Sequence, residues 1–403
     1  MKSFLLFILC GGAHSAYLKD TTLFNQSYYN YLDAQGRLFN DLFKDYDNEL
    51  SPMFTRSSVS AIEDPLELGT EPYLWNYTVF LYYFKLVEVD EPFEKVTVVL
   101  EVIEFWYDAR LVWDPKKYNN ISVMYVRQEK IWSPTFSAFA VSDIQDFRDQ
   151  DFRLVAITSV GQVYTYIPVK ISANCRLNVK KFPFDTQTCQ IRIGLPIFYY
   201  KEVNIMNEIY EGILTKQQID QMGNSEWNIL NLTGRVDVLQ YKDSFGNCQL
   251  SVFEIKMQRN PLYYIYMIVF PSFIINALSI VGVFMMKSDK MSRLNVGLTN
   301  IMTMTFILGV MADNIPKSGE IPLLGIYIIM NLFIMIFSIV ITMLLKQLRG
   351  WVLRKCKIHQ STSSSSQRFE KFVGKPLEII LIVGLQFINT GNFVMVLLYW
   401  VST

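Results

Sequence analysis

PLYYIYMIVFPSFIINALSIVGVFMM, residues 261–286, runs for 26 residues without a charged side chain. An α-helix crosses the hydrocarbon of a bilayer in about 20 residues, so this stretch predicts a membrane span over 261–286. Three further apolar runs predict spans over 293–312, 322–345 and 376–401. The whole chain agrees: 403 residues, 51% hydrophobic, 15% aromatic and only 18% charged, is more apolar than a soluble surface of this size usually tolerates. Buried helices of a large soluble enzyme would need four such runs in succession by accident.

The charges between the runs orient them. Lys287, Lys290 and Arg293 lie between the first two, and Lys346, Arg349, Arg354, Lys355 and Lys357 follow the third. The connection from the second to the third holds only Lys317, with Asp313 and Glu320. Cytoplasmic loops carry the excess of Lys and Arg, which places the first and third connections in the cytoplasm and the N-terminal region outside. Met1-Lys2, the apolar Phe4–Cys10 and the small-residue site Ala13-His14-Ser15 predict a signal peptide over 1–16. Four sequons, at Asn25, Asn76, Asn120 and Asn231, all precede residue 260 and are the expected glycosylation sites. Cys175 and Cys189 fall in the oxidised compartment and their pairing is the economical one, whereas Cys356 falls on the cytoplasmic side. Cys248 reads as a small buried residue or as a partner for another chain.

Several function classes lose ground at once. A formal charge of zero without a basic block argues against nucleic acid as a partner. Two histidines, His14 inside the leader and His359 beside a serine run, leave little material for a metal site or a Ser-His-Asp hydrolase. No cofactor is expected, and a membrane enzyme ranks last. Asp108 and Arg110 look structural, since alternate residues of a strand share one face.

Residues 17–260 carry short alternating runs such as KVTVVLEV (95–102) and QTCQIRI (187–193), punctuated by Pro, Gly and Asn. That rhythm predicts an antiparallel β-sandwich, preceded by a helix over Thr22 to Phe43. The serine tract Ser361–Ser366 lies in a short cytoplasmic linker, 346–375, and reads as flexible.

CRLNVKKFPFDTQTC, residues 175–189, resembles the signature loop of the Cys-loop receptors, with thirteen residues between the cysteines and Phe182-Pro183-Phe184-Asp185 at its centre. The same order continues in Trp106-x-Asp108-x-Arg110-Leu111-x-Trp113-Asp114-Pro115, Ile131-Trp132-x-Pro134, Glu226-Trp227 and Met257-x-Arg259-x-Pro261-x-Tyr263-Tyr264. The resemblance covers nearly the whole mature chain and is to a divergent, invertebrate-like member. It implies an immunoglobulin-like antiparallel extracellular sandwich over 17–260, a four-helix transmembrane bundle, and assembly of five identical or related subunits in the plasma membrane.

Site residues follow from that likeness and from the pattern of the helices. The disulfide would stiffen a loop whose apolar tip, Phe182, Pro183 and Phe184, bears on the membrane domain. Asp185 has two readings: a charged contact near Arg259 between the domains, or a cap for the turn after Pro183. Pro316 would face the same loop. The second span alone carries a distinct stripe, Asn295, Thr299, Met302, Phe306, Val310 and Asp313, three or four residues apart. It would line a pore for inorganic ions, with Met302 and Phe306 as an apolar constriction; otherwise its polar groups bond neighbouring helices. Likeness to the family's pore helix favours the pore. Asp289 and Asp313 favour cations, while Lys290 and Arg293 oppose them if they face the ion path; the resemblance turns Arg293 away. For a small-molecule ligand held between subunits the candidates are Phe139, Tyr241, Phe245 and Glu101, although Glu101 stands where an aromatic is usual. An accessory, non-conducting subunit acting in assembly or trafficking is the other reading.

Overall fold

The structure is a computed structural model. It describes residues 21–53, 75–198, 202–239, 247–285, 290–313, 321–355 and 364–401. Helix α1 (Thr21–Phe43) is followed by strands β1 (Trp75–Asp90), β2 (Lys95–Val112), β3 (Val123–Arg127), β4 (Ser137–Phe139), β5 (Val141–Asp146), β6 (Leu154–Thr158), β7 (Val160–Asn174), β8 (Thr186–Gly194) and β9 (Val203–Ile209). A short helix α2 (Lys216–Met222) leads to β10 (Trp227–Leu239) and β11 (Cys248–Arg259). The strands form a seven-stranded sheet, in the order β3-β6-β7-β2-β1-β9 with β5 added on β7, and a four-stranded sheet, β10-β11-β8-β4.

Strand β2 shows why the sheets stack. Its alternate residues Val96, Val98, Leu100, Val102, Glu104 and Trp106 are all buried, while Thr97, Val99, Glu101, Ile103 and Phe105 are half-exposed on the other face. A period of two puts one face of a strand in the core, and the opposite sheet supplies Ile191, Ile193, Phe253, Ile255 and Met257 to meet it. Among these six inward residues Glu104 is the polar one; it is buried and accepts a hydrogen bond from the Tyr77 hydroxyl. Burial pushes its carboxyl up to about 7, against the pull of the nearby Arg148.

One pairing departs from the expected antiparallel sandwich. β9 runs parallel to β1, from Trp75↔Val203 to Leu81↔Ile209. The chain leaves the other sheet at the end of β8, crosses over, and enters beside the start of β1, where the Trp75 amide donates to Glu202 O at 2.9 Å. A crossover, unlike a hairpin, delivers a strand in the parallel sense.

Four described helices are long and apolar enough to cross a membrane. The first begins with one α-turn (Leu262–Tyr264), widens to a π-turn (Ile265–Val269) and continues as α3 (Phe270–Met285). Then come α4 (Lys290–Asp313), α5 (Leu323–Lys355) and α6 (Ser364–Val401). The stretch 346–375, read as a linker, carries helix at both described ends, and Ser364–Ser366 belong to α6 rather than to a flexible tract. Leu, Lys, Gln and Arg are good helix formers, so the charges that end the third apolar run do not end its helix.

The bundle core is polar in one layer. Asn276 on α3, Asn331 on α5 and Asn389 on α6 are fully buried. Asn276 Nδ2 donates to Asn331 Oδ1 at 3.2 Å and to Asn389 Oδ1 at 2.9 Å, and Asn392 Nδ2 donates to Asn331 Oδ1 at 2.8 Å. Where apolar surface gains nothing by leaving lipid, such bonds and close packing hold helices together.

Candidate functional site

The disulfide Cys175–Cys189, with Cα atoms 5.4 Å apart, closes the loop between β7 and β8. Inside the loop Gln187 acts as a brace: its Oε1 accepts from the Asn178 amide at 2.9 Å, and its Nε2 donates to Asn178 O at 2.9 Å and to Asp185 Oδ2 at 2.6 Å. Phe182, Pro183, Phe184 and Asp185 are all buried, and the Phe182–Pro183 bond is cis. The tip rests on three membrane segments at once. Phe182 meets the Tyr264 ring edge-on at 4.7 Å, Phe184 lies 6.0 Å from the Tyr399 ring of α6, and the amides of Leu323 and Leu324 donate to Lys180 O and Phe182 O at 3.0 and 3.2 Å. The first amides of a helix have no partner of their own, so the loop backbone caps α5.

Arg259, the last residue of β11, is the centre of the junction, and its side chain is 0% exposed. Its Nε donates to Asp185 Oδ1 at 2.9 Å, and its Nη1 donates to Glu91 Oε1 at 2.7 Å and to Glu226 Oε1. The guanidinium also lies over Trp227 at 4.1 Å and Phe182 at 4.8 Å. Burial by itself would lower its pKa; Asp185 and Glu91 outweigh this and raise it. Burial raises the Glu91 carboxyl against the opposing pull of Arg259. Of the two readings of Asp185, the contact with Arg259 is present in the fold. Sequence reasoning misses Glu91, in the turn between β1 and β2, and Gln187, and it gives Glu226 and Tyr264 only as parts of motifs. A charged turn residue in a strand-rich segment carries no local sign that a guanidinium 168 residues away will reach it.

On α4 the six stripe residues share one face. Asn295, Thr299, Met302, Phe306, Val310 and Asp313 are all exposed in the single chain, Met302 at 75% and Phe306 at 71%. The opposite face carries Gly297, Met304 and Met311, two turns apart and buried against the bundle. At Gly297 a side chain has no room, because an added Cβ would collide with Ile339 of α5. Arg293 lies one turn below Gly297 on this packed side and is half-buried, away from the stripe. The threonine hydroxyls do not reach neighbouring helices: Thr299 donates to Asn295 O at 2.8 Å, Thr303 to Thr299 O at 3.0 Å and Thr305 to Met302 O at 2.9 Å.

The ligand candidates are dispersed. Phe139 on β4 is half-buried and packs on Cys248, Leu250 and Val252 at the foot of the β10–β11 hairpin. Glu101 belongs to the other sheet, on its outward face, where the Tyr166 hydroxyl bonds it. Burial, then Glu101, push the Tyr166 phenol up to about 12. Tyr82 is adjacent and stacks with Tyr210 at 5.2 Å. One chain does not bring Phe139 and Glu101 together. Tyr241, Phe245 and Pro316 lie outside the described residues, as do Asp289 and the side chain of Asn25. Asn76, Asn120 and Asn231 are exposed. Asp108 is fully buried and holds Arg110 through both carboxylate oxygens, with the Tyr46 hydroxyl at 2.9 Å; this ties the turn after α1 to β2.

Two family models match this chain. The neurotransmitter-gated ion-channel ligand binding domain covers residues 35–261, and the neurotransmitter-gated ion-channel transmembrane region covers residues 268–378. Among similar proteins are the neuronal acetylcholine receptor subunit alpha-9 of Gallus gallus, 26% identical over 308 residues, and subunit alpha-3 of Bos taurus, 27% identical over 316 residues. These alignments take in 76% and 77% of this chain and 59% of each relative. The betaine receptor acr-23 of Caenorhabditis elegans is 24% identical over 319 residues, 73% of this chain and 55% of that protein. The chain thus spans less than two thirds of the length of these relatives. With a matched sandwich, a matched membrane region and the loop between them, the chain belongs to the neurotransmitter-gated ion-channel family, the Cys-loop receptors.

Proposed function

We propose that the chain is one subunit of a pentameric ligand-gated channel in which α4 lines a cation-conducting pore. The observation that carries this reading is the division of α4 into two faces. Its packed side is taken up by Gly297, Met304 and Met311, while the stripe residues from Asn295 to Asp313 are exposed in the single chain. One helix cannot enclose water, so equivalent faces from several chains must meet around an axis. Rings of Met302 and Phe306 then form an apolar constriction that closes by excluding water, with the threonine oxygens below it. A ring of Asp313 at one mouth and Arg293 turned into the bundle favour cations.

The chain is a multi-pass plasma-membrane protein with its N-terminal domain extracellular. Its ligand is a small molecule held at the boundary between subunits, where the Glu101 face of one sandwich meets the Phe139 side of the next. Relatives named as acetylcholine and betaine receptors make a cationic ligand the first class to try, and tyrosines beside a carboxylate suit a cation. Ligand-driven displacement of the sandwich reaches the helices through Arg259 and the disulfide loop. Met302→Ser, with surface expression checked on a tagged chain, tests the pore without knowledge of the ligand. A resting current whose reversal follows sodium is expected. Reversal following chloride would overturn the selectivity, and surface protein without current would overturn the self-sufficient pore and point to an accessory subunit.

A further inference from the structure

Away from the junction and the α4 face, α1 and β3 line an open cleft with a volume of about 500 Å3. Small-molecule pockets range over roughly 300–1,000 Å3 and are mostly apolar with a few polar groups. Leu32, Phe39 and the buried Met124 and Val126 supply the apolar wall, and Gln35 and Asn40 add amides. The rim carries two cations, Arg127 and Lys130. Arg127 meets Glu129 at 3.6 Å with both side chains more than half exposed, a geometry that holds an ion pair only weakly. Lys130 has no ion-pair partner among the described residues. The mouth is therefore positive and its body apolar.

The helix itself points to an occupant. Gly36 lies within α1 on the cavity wall, and a Cβ placed there would meet nothing within 4 Å. A glycine inside a helix costs about 1 kcal/mol relative to alanine, and packing does not demand it here, because the exposed space beside it opens onto the cleft. Docking of α1 is concentrated in its second half. Ala34 and Leu38 are 1% exposed, Phe39 and Phe43 pack against the core, and Asp41 accepts from the Tyr118 hydroxyl at 2.9 Å, whereas Tyr28 and Tyr29 are exposed. A molecule in the cavity would bridge the helix to β3.

We infer that the cavity between α1 and β3 binds a small amphiphilic carboxylate, its apolar body against Leu32, Phe39 and Met124 and its anionic head at Lys130 and Arg127. The site is separate from the pore, so its failure and the failure of the channel reading are read independently.

The test titrates the full-length protein in detergent with 2-naphthoate and with neutral 2-naphthamide, in wild type, Gly36→Phe and Lys130→Glu. Naphthoate is expected to bind saturably and to lose at least about tenfold in affinity with Gly36→Phe, a change of about 1.4 kcal/mol. Lys130→Glu should weaken naphthoate several-fold and leave naphthamide unchanged. Without ligand, Gly36→Phe should melt no lower than wild type, since it replaces a helix-interior glycine. Absent saturable naphthoate binding in wild type, equal binding of the neutral amide, or unchanged binding in both variants would each overturn the assignment. If Gly36→Phe fails to fold, the Lys130→Glu pair of titrations decides alone.

Discussion

The junction around Arg259 and the stripe of α4 are opposites. At the junction a buried cation is surrounded by Asp185, Glu91, Glu226 and three aromatic rings, all supplied by the same chain. On α4 the stripe residues from Asn295 to Asp313 are exposed in the single chain. A site completed within one chain is held by its own folding energy. A site left exposed has little to disturb in the single chain when substituted, and in the proposed channel it is completed by neighbouring copies. In the proposed channel the difference separates the part that would transmit a displacement from the part that would meet ions.

The comparison breaks first at Arg259. Arg259→Ala leaves three carboxylates without their cation, and removal of one partner from a buried ion pair costs about 3–5 kcal/mol. Loss of surface expression and a large drop in melting temperature are expected; unchanged melting would mean that the junction is not a structural centre. Next is the core carboxyl. Glu104 is raised from an ordinary 4.5 to about 7, so the folded chain holds this proton more tightly than the unfolded one. Stability then falls as pH rises from about 4.5 to about 7, and Glu104→Gln should remove a penalty of about 3 kcal/mol above pH 7 while changing little near pH 4.5. Melting curves at pH 4.5 and pH 8 check the sign, and an equal effect at both would refute it.

Smaller still is the bundle layer. Asn276→Leu deletes two interhelical hydrogen bonds, and bonds of this kind average near 1 kcal/mol in membranes. Thermal melting in detergent should fall modestly, and a loss several times larger would mean that this layer, not packing, holds α6. Least affected is the stripe. Met302→Ser should leave stability within about 0.5 kcal/mol, as exposed substitutions do, while changing the resting current most of all. A strong loss of stability would place Met302 in a packed contact.

Legibility followed the same division. The α4 stripe could be read from spacing alone, because a helix sets its faces by a local period of 3.6 residues; its six residues emerge on one side, opposite Gly297. The alternation in β2 likewise announced its buried face, and the helix expected over Thr22 to Phe43 is present as α1. The parallel β9, by contrast, depends on a crossover between sheets, and the helical ends of 346–375 depend on propensity persisting past the charge that stops an apolar run. The binding candidates Phe139 and Glu101 lie on different sheets of one subunit, an arrangement that no local pattern announces.

The sequence by itself determined the elements whose signals are local: four apolar runs, alternating strands, the paired cysteines and the motifs that mark the family. Only the tertiary structure decided which partners those elements meet: Glu91 with Arg259, the backbone of the loop with the first amides of α5, and α1 over the cavity beside β3. The physical reason is range. Periodicity is written into neighbouring residues, whereas charge pairing, capping and enclosure are settled when distant segments compete for the same low-dielectric space.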